Sequence, residues 1–145
     1  MKTLFDTSVI VAALVESHPM HQRVFPWLKQ AKAKEFELVV AGHTIAELYA
    51  VLSTLPIKPR ISPTIAWKLI HENIEATGKI VSLTPAEYTS AIKQLSELGL
   101  AGGITYDALI VRVNSLVYVP ELWDGHAAER IVEILRDWEE DRLPK

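Results

Sequence analysis

An α/β domain with a mainly parallel central sheet and helices on both faces is the fold class this sequence predicts, on three observations. Short apolar runs of strand character alternate with longer amphipathic runs of helical period, the pattern of strand–helix–strand units. Two of the helical runs begin at a proline preceded by a hydroxyl residue, Ser62-Pro63 and Thr84-Pro85, a helix-start signal that strands do not carry. A chain of 145 residues with 49% hydrophobic content suits one ordinary domain, residues 1–145, burying roughly two-thirds of its unfolded surface. No internal repeat, low-complexity tract or long linker divides it.

The elements follow in order. "TLF" is a short buried strand that ends at Asp6, and Thr7 or Ser8 is expected to cap a helix through "VIVAALVES". "HQRVFPWLKQAKAK" is a second helix with a kink or early boundary expected at Pro26, and "FELVVA" is the next strand. Ile45, Leu48, Leu52 and Leu55 keep helical spacing, which predicts an amphipathic helix from about His43 to the "LPIKPRI" linker, with Glu47 riding on it. A helix from Pro63, the strand "KIVSL" and a helix opened by the capping box Thr84-Pro85-Ala86-Glu87 come next. After the loop "GLAGG", Tyr106-Asp107 is expected to open a helix through "ALIVRV". "LVYV" or "ELW" is expected to be a last short strand before Asp124-Gly125, and "AAERIVEILRDWEEDRL" a closing amphipathic helix.

Composition excludes several function classes. The chain has no cysteine, hence no disulfide scaffold, thiolate metal site or thiol nucleophile, as suits a cytoplasmic protein. No apolar run reaches the ~18 residues of a membrane span, so a soluble protein is expected. The first line reads as strand, turn and helix of the folded chain rather than as a secretory signal, because Asp6 interrupts the apolar stretch and no small-x-small cleavage pattern follows. Net charge is −3, so a polyanionic substrate needs a local device, such as a bound divalent cation, to approach.

Four acids sit where a solubilising role explains little: Asp6 after the first strand, Glu47 within an apolar helix, Asp107 at a helix start and Asp124 after the last expected strand. Each has a plain structural alternative: a helix cap for Asp107, a turn pair with Gly125 for Asp124, an exposed helix position for Glu47. In open parallel sheets, however, sites form beyond the carboxyl ends of the strands, which puts Asp6 in a crevice rather than the core. Carboxylates gathered there repel one another unless a cation neutralises them, and an all-oxygen set selects Mg²⁺ or Mn²⁺. Such an ion supports phosphoryl transfer by activated water, with no nucleophilic side chain.

"LFDTSVIVAAL", "TIAELYAVLS" and "GITYDALI", in that order and near those separations, resemble the PIN-domain ribonucleases, specifically the VapC-type toxins of bacterial toxin–antitoxin pairs. The resemblance spans residues 1 to about 112. It implies a PIN-like α/β/α sandwich and Mg²⁺-dependent cleavage of RNA. It makes Asp6, Glu47 and Asp107 the metal-binding acids, with Thr7 or Ser8 supporting the site by hydrogen bonding. It also implies a homodimer and inhibition by a small cognate antitoxin whose tail enters the groove. The chain departs from the family after its last strand. Where a Thr-x-Asn-x-x-Asp-Phe-like segment is usual, it has "ELWDGHAAERI", with Ala127 and Ala128 at the Asp-Phe positions and Asp124 at the Asn. Asp124 is accordingly the candidate fourth catalytic and metal-binding acid.

His43, one turn before Glu47, and Arg112, beyond Asp107, are candidate RNA contacts, with helix initiation and an ion pair as their structural alternatives. His18 and His21, three apart beside Glu16, read as loop polarity rather than a zinc pair, because Pro19 lies between them. Lys29, Lys32 and Lys34 read as a solvated face, Tyr49 and Trp67 as packing or interface residues. Two functions compete: a metal-dependent endoribonuclease, and a weak or inactive protein of the same fold that acts by docking a partner. A phospho-acceptor or phosphatase site fits badly, since Ser8 stands where a phosphatase needs a second Asp and Asp6 has no acidic neighbour.

Overall fold

A computed structural model describes residues 1–117. Compactness divides the chain between Val113 and Asn114, and the account below concerns the first unit, Met1–Val113. Its sheet has three strands, β1 (Lys2–Phe5), β2 (Glu37–Ala41) and β3 (Lys79–Val81), in the order β1-β2-β3 and parallel throughout. Phe5 pairs with Val40, and Ala41 with Val81.

Parallel neighbours need crossovers, and helices supply them. Between β1 and β2 run α1 (Thr7–Leu14) and α2 (His21–Lys32). Between β2 and β3 run α3 (Gly42–Thr54), α4 (Pro63–Ile70) and a π-helical turn, His71–Glu75. After β3 come α5 (Pro85–Glu97) and α6 (Ile104–Val117). Leu38, Val39, Val40 and Ala41 are all buried although successive strand residues point to opposite faces, so β2 is covered on both sides. This is the α/β class the sequence predicts.

Local chemistry explains most boundaries. Ser62 accepts a hydrogen bond from the Ile65 amide ahead of Pro63, and Thr84 with Glu87 forms the reciprocal capping box. The Thr84 backbone amide, then its hydroxyl, hold the Glu87 carboxyl below its ordinary range. Pro26 lies inside α2, which continues through it to Lys32.

Three sequence expectations need correction. Asp6 itself caps α1, in place of Thr7 or Ser8: its backbone is still extended and its carboxylate takes the Val9 amide. α6 begins at Ile104, so Asp107 lies within its first turn rather than at its start. Leu116 and Val117, read as the beginning of "LVYV", are the end of α6; the rest of that stretch, "ELW" and the C-terminal helix lie outside the described residues.

The core of this unit joins Phe5, Ile10, Leu28, Leu38, Val40, Leu48, Leu52, Ile70 and Ile74. Leu38 on the central strand is 1% exposed and borders Gly78, whose missing side chain leaves room for it. Leu38→Ala is expected to cost about 2–5 kcal/mol in a urea titration, with the slope unchanged, because the closely packed surroundings cannot collapse into the space.

Candidate functional site

The site is built where β1 and β2 end. Each strand passes directly into a helix, β1 through Asp6 into α1 and β2 into α3, so two helix N-termini begin at adjacent carboxyl ends of a parallel sheet. Asp6 is half-buried there. Its Oδ1 accepts the Val9 amide at 2.8 Å and the Ser8 hydroxyl at 2.8 Å. A carboxylate in the β1–α1 turn thus gains two donors and the positive end of a helix, which offsets its loss of water.

Glu47 arrives from the other strand. α3 buries Thr44, Leu48 and Leu52 at helical spacing, and Glu47, next to this stripe, is half-buried. The Thr7 hydroxyl donates to Glu47 Oε2 at 2.5 Å, across 40 residues of chain. The residue next to Asp6 in the chain therefore holds Glu47, while Asp6 itself is held by Ser8 and the Val9 amide. Thr7, Ser8 and Glu47 also line one end of a cleft of about 650 Å³, whose remaining wall includes Val9, Val51, His18 and Met20.

Asp107 is exposed on the first turn of α6. Among the described residues no hydrogen bond or ion pair joins it to Asp6 or Glu47. Its turn does meet α3: the ring of Tyr106, its neighbour, lies 6.3 Å from the His43 ring at 42°. His43 stands one turn before Glu47, with both ring nitrogens buried and without hydrogen-bond partners in the structure. Burial lowers its pKa below the ordinary 6.5, outweighing the opposing pull of the Glu47 charge. Arg112 reaches Ser90 of α5 at 3.4 Å and influences Glu87. His18 Nδ1 accepts the Met20 amide, and His21 Nδ1 pairs with the Ala12 carbonyl, as loop polarity requires. Asp124 lies outside the described residues. The Tyr106–His43 contact was not foreseen, and no sequence signal beyond the adjacency of Tyr106 to Asp107 points to it.

The PIN domain family matches residues 3–113, a span that runs from β1 into α6. The chain belongs to the PIN-domain family. This PIN-domain chain is 33% identical over 105 residues to ribonuclease VapC27 of Mycobacterium tuberculosis, covering 72% of the chain and 71% of that relative. It is 29% identical over 105 residues to ribonuclease VapC40 of the same organism, covering 72% of each.

The donor chemistry of Asp6, Glu47 and Asp107 is all oxygen and suits a hard cation. Asp6 and Glu47 stand at adjacent strand ends, and among the described residues no three His, Cys, Asp or Glu side chains group closely enough to hold a metal ion. Glu47 Oε2 is engaged by Thr7 and Asp6 Oδ1 by its own helix.

Two outcomes follow. Thr7→Val keeps the shape and removes the donor to Glu47, and is expected to cost about 1 kcal/mol in thermal or urea unfolding, with Thr7→Ser losing much less. Because folding lowers the His43 pKa, the unfolded chain takes up this proton first as pH falls. Stability that is full above pH 6.5 is therefore lost as pH falls from there through the folded value. Urea midpoints at pH 7.5 and 5.5 should show a smaller difference in His43→Phe than in the wild type.

Proposed function

We propose that this PIN-domain chain is an endoribonuclease and the toxin of a toxin–antitoxin pair, working in the cytoplasm on RNA phosphodiesters as a homodimer restrained by a small cognate antitoxin. The observation that carries the reading is the pairing of Asp6 and Glu47 through Thr7 at the carboxyl ends of adjacent strands, inside the span that matches the PIN domain. Two relatives are ribonucleases, VapC27 and VapC40, which supports the choice of RNA.

The reaction adds water to phosphorus and breaks one P–O bond, the leaving oxygen ending with a proton. In this reading Asp6, Glu47, Asp107 and Asp124 are the catalytic acids. Ser8 and the Val9 amide hold the Asp6 carboxylate in one orientation, and Thr7 holds that of Glu47, so neither reorients when substrate arrives. Dependence on Mg²⁺ or Mn²⁺ belongs to the same proposal, with Asp6, Glu47 and Asp107 as oxygen donors and Asp124 as a fourth. Such an ion, when bound, neutralises the acids and lowers the pKa of its water. The second reading, a weak or inactive PIN-fold protein that docks a partner, draws support from the missing three-donor group among the described residues.

Asp6→Asn separates the two. Asn caps a helix as well as Asp does, so the fold should survive while the negative charge is lost. With defined single-stranded and looped RNAs and Mg²⁺ or Mn²⁺, the purified chain is expected to cleave, EDTA to stop it, and Asp6→Asn to lower the rate about 100-fold or more. Equal cleavage by wild type and variant would mean a contaminating nuclease and end the enzymatic reading.

A further inference from the structure

We propose that His43 is a positioning residue: its half-buried ring, packed at a tilt against that of Tyr106, fixes the first turn of α6 and so sets where Asp107 stands relative to Glu47. The inference rests on the proposed function for the importance of Asp107, and on geometry for the rest.

α3 carries two features one turn apart. Glu47 is held by Thr7 from α1, and His43 meets Tyr106 from α6 with ring centroids 6.3 Å apart and planes at 42°. At positions i and i+4 the two side chains lie on one strip of the helix. A single rigid element, anchored by the wholly buried Leu48 and Leu52, therefore contacts both the acid pair at the sheet and the turn that bears Asp107. The loop before α6 supplies little restraint: Gly102 has a positive φ of 77°, Gly103 follows it, and among the described residues nothing lies within 4 Å of where a side chain at either would begin. Chain of this kind leaves the start of α6 to be placed by contacts further along. Tyr106 is itself 52% exposed, so its ring is only partly held by the protein. Leu109 and Val113 seat α6 further along, and within its first turn the ring contact with His43 holds Tyr106.

The chemistry of the ring fits a wedge better than a phosphate ligand. An imidazole that binds phosphate presents an N–H to it, whereas both His43 nitrogens are buried and unpartnered. Buried polar atoms without partners cost stability, so a purely apolar ring of similar shape should serve at least as well in packing. That separates shape from nitrogen chemistry.

The experiment compares the full-length wild type, His43→Ala and His43→Phe, with two readouts. The first is amide hydrogen exchange over residues 104–108, with residues 38–41 of β2 as the internal control. His43→Ala is expected to lower protection in the α6 turn about tenfold while β2 keeps its own, and His43→Phe to stay within about twofold of wild type. The second is RNA cleavage under the proposed conditions. His43→Ala should lose about 10- to 100-fold in kcat with KM little changed, and His43→Phe should recover most of it. Unchanged exchange at 104–108 in His43→Ala overturns the inference, as does a His43→Phe protein with normal exchange and the low kcat of His43→Ala, since the nitrogens would then act directly. Should the wild type cleave no RNA, the proposed function fails by itself, and the exchange comparison still decides whether His43 places the turn.

Discussion

A carboxylate that emerges at the end of a buried strand must find donors, and the way Asp6 and Glu47 find theirs organises this molecule. Asp6 takes the Val9 amide, the third of the helix it starts, and the hydroxyl of Ser8; Glu47 takes the hydroxyl of Thr7. Three consecutive residues, Asp6, Thr7 and Ser8, thereby satisfy one acid and reach the other. The hydrogen bond from Thr7 also ties α1 to α3, the two helices that leave adjacent strands. Its strength depends on the charge of Glu47, because charge-assisted hydrogen bonds are shorter and stronger than neutral ones. The same charge that repels a polyanion is thus part of what holds the rim of the sheet together.

α3 is the element on which the rest converges. One stripe of it, Thr44, Leu48 and Leu52, is sealed into the core, and the neighbouring strip carries His43 and Glu47. The apolar stripe gives the helix a fixed position, and the polar strip inherits that precision. Membership of the PIN-domain family agrees with this layout, since the matched span begins in β1 and ends in α6, enclosing the candidate acids Asp6, Glu47 and Asp107.

What was legible in the sequence was what short-range chemistry decides. Ser62-Pro63 and Thr84-Pro85-Ala86-Glu87 fixed their helix starts because a cap and its partner lie within four residues of each other. The acid at the end of β1 was legible as an anomaly, yet its donors were not: the sequence points to Thr7 or Ser8 as the cap, and the extended backbone at Asp6 makes the acid itself the cap. The start of α6 was placed two residues late because Gly102-Gly103 gives no cap and Ile104-Thr105 no helix signal. The contacts from Thr7 to Glu47 and from His43 to Tyr106 span 40 and 63 residues, and periodicity carries no information at that range. The π-helical turn at His71–Glu75 is likewise invisible to a 3.6-residue period.

Gly42, the first residue of α3, has a significance beyond its place in the helix. A methyl group there would fall on the Ser82 hydroxyl of the chain leaving β3. The bare backbone lets the third strand's exit lie flush with the root of α3. An alanine at 42 would turn the Ser82 hydroxyl aside and press on its Cβ at 3.3 Å, and bulkier residues would crowd the root of α3, five residues before Glu47, against that exit. A position with no reactive group of its own thus acts as a spacer of fixed, minimal thickness, setting the seat of the acid by what it leaves out.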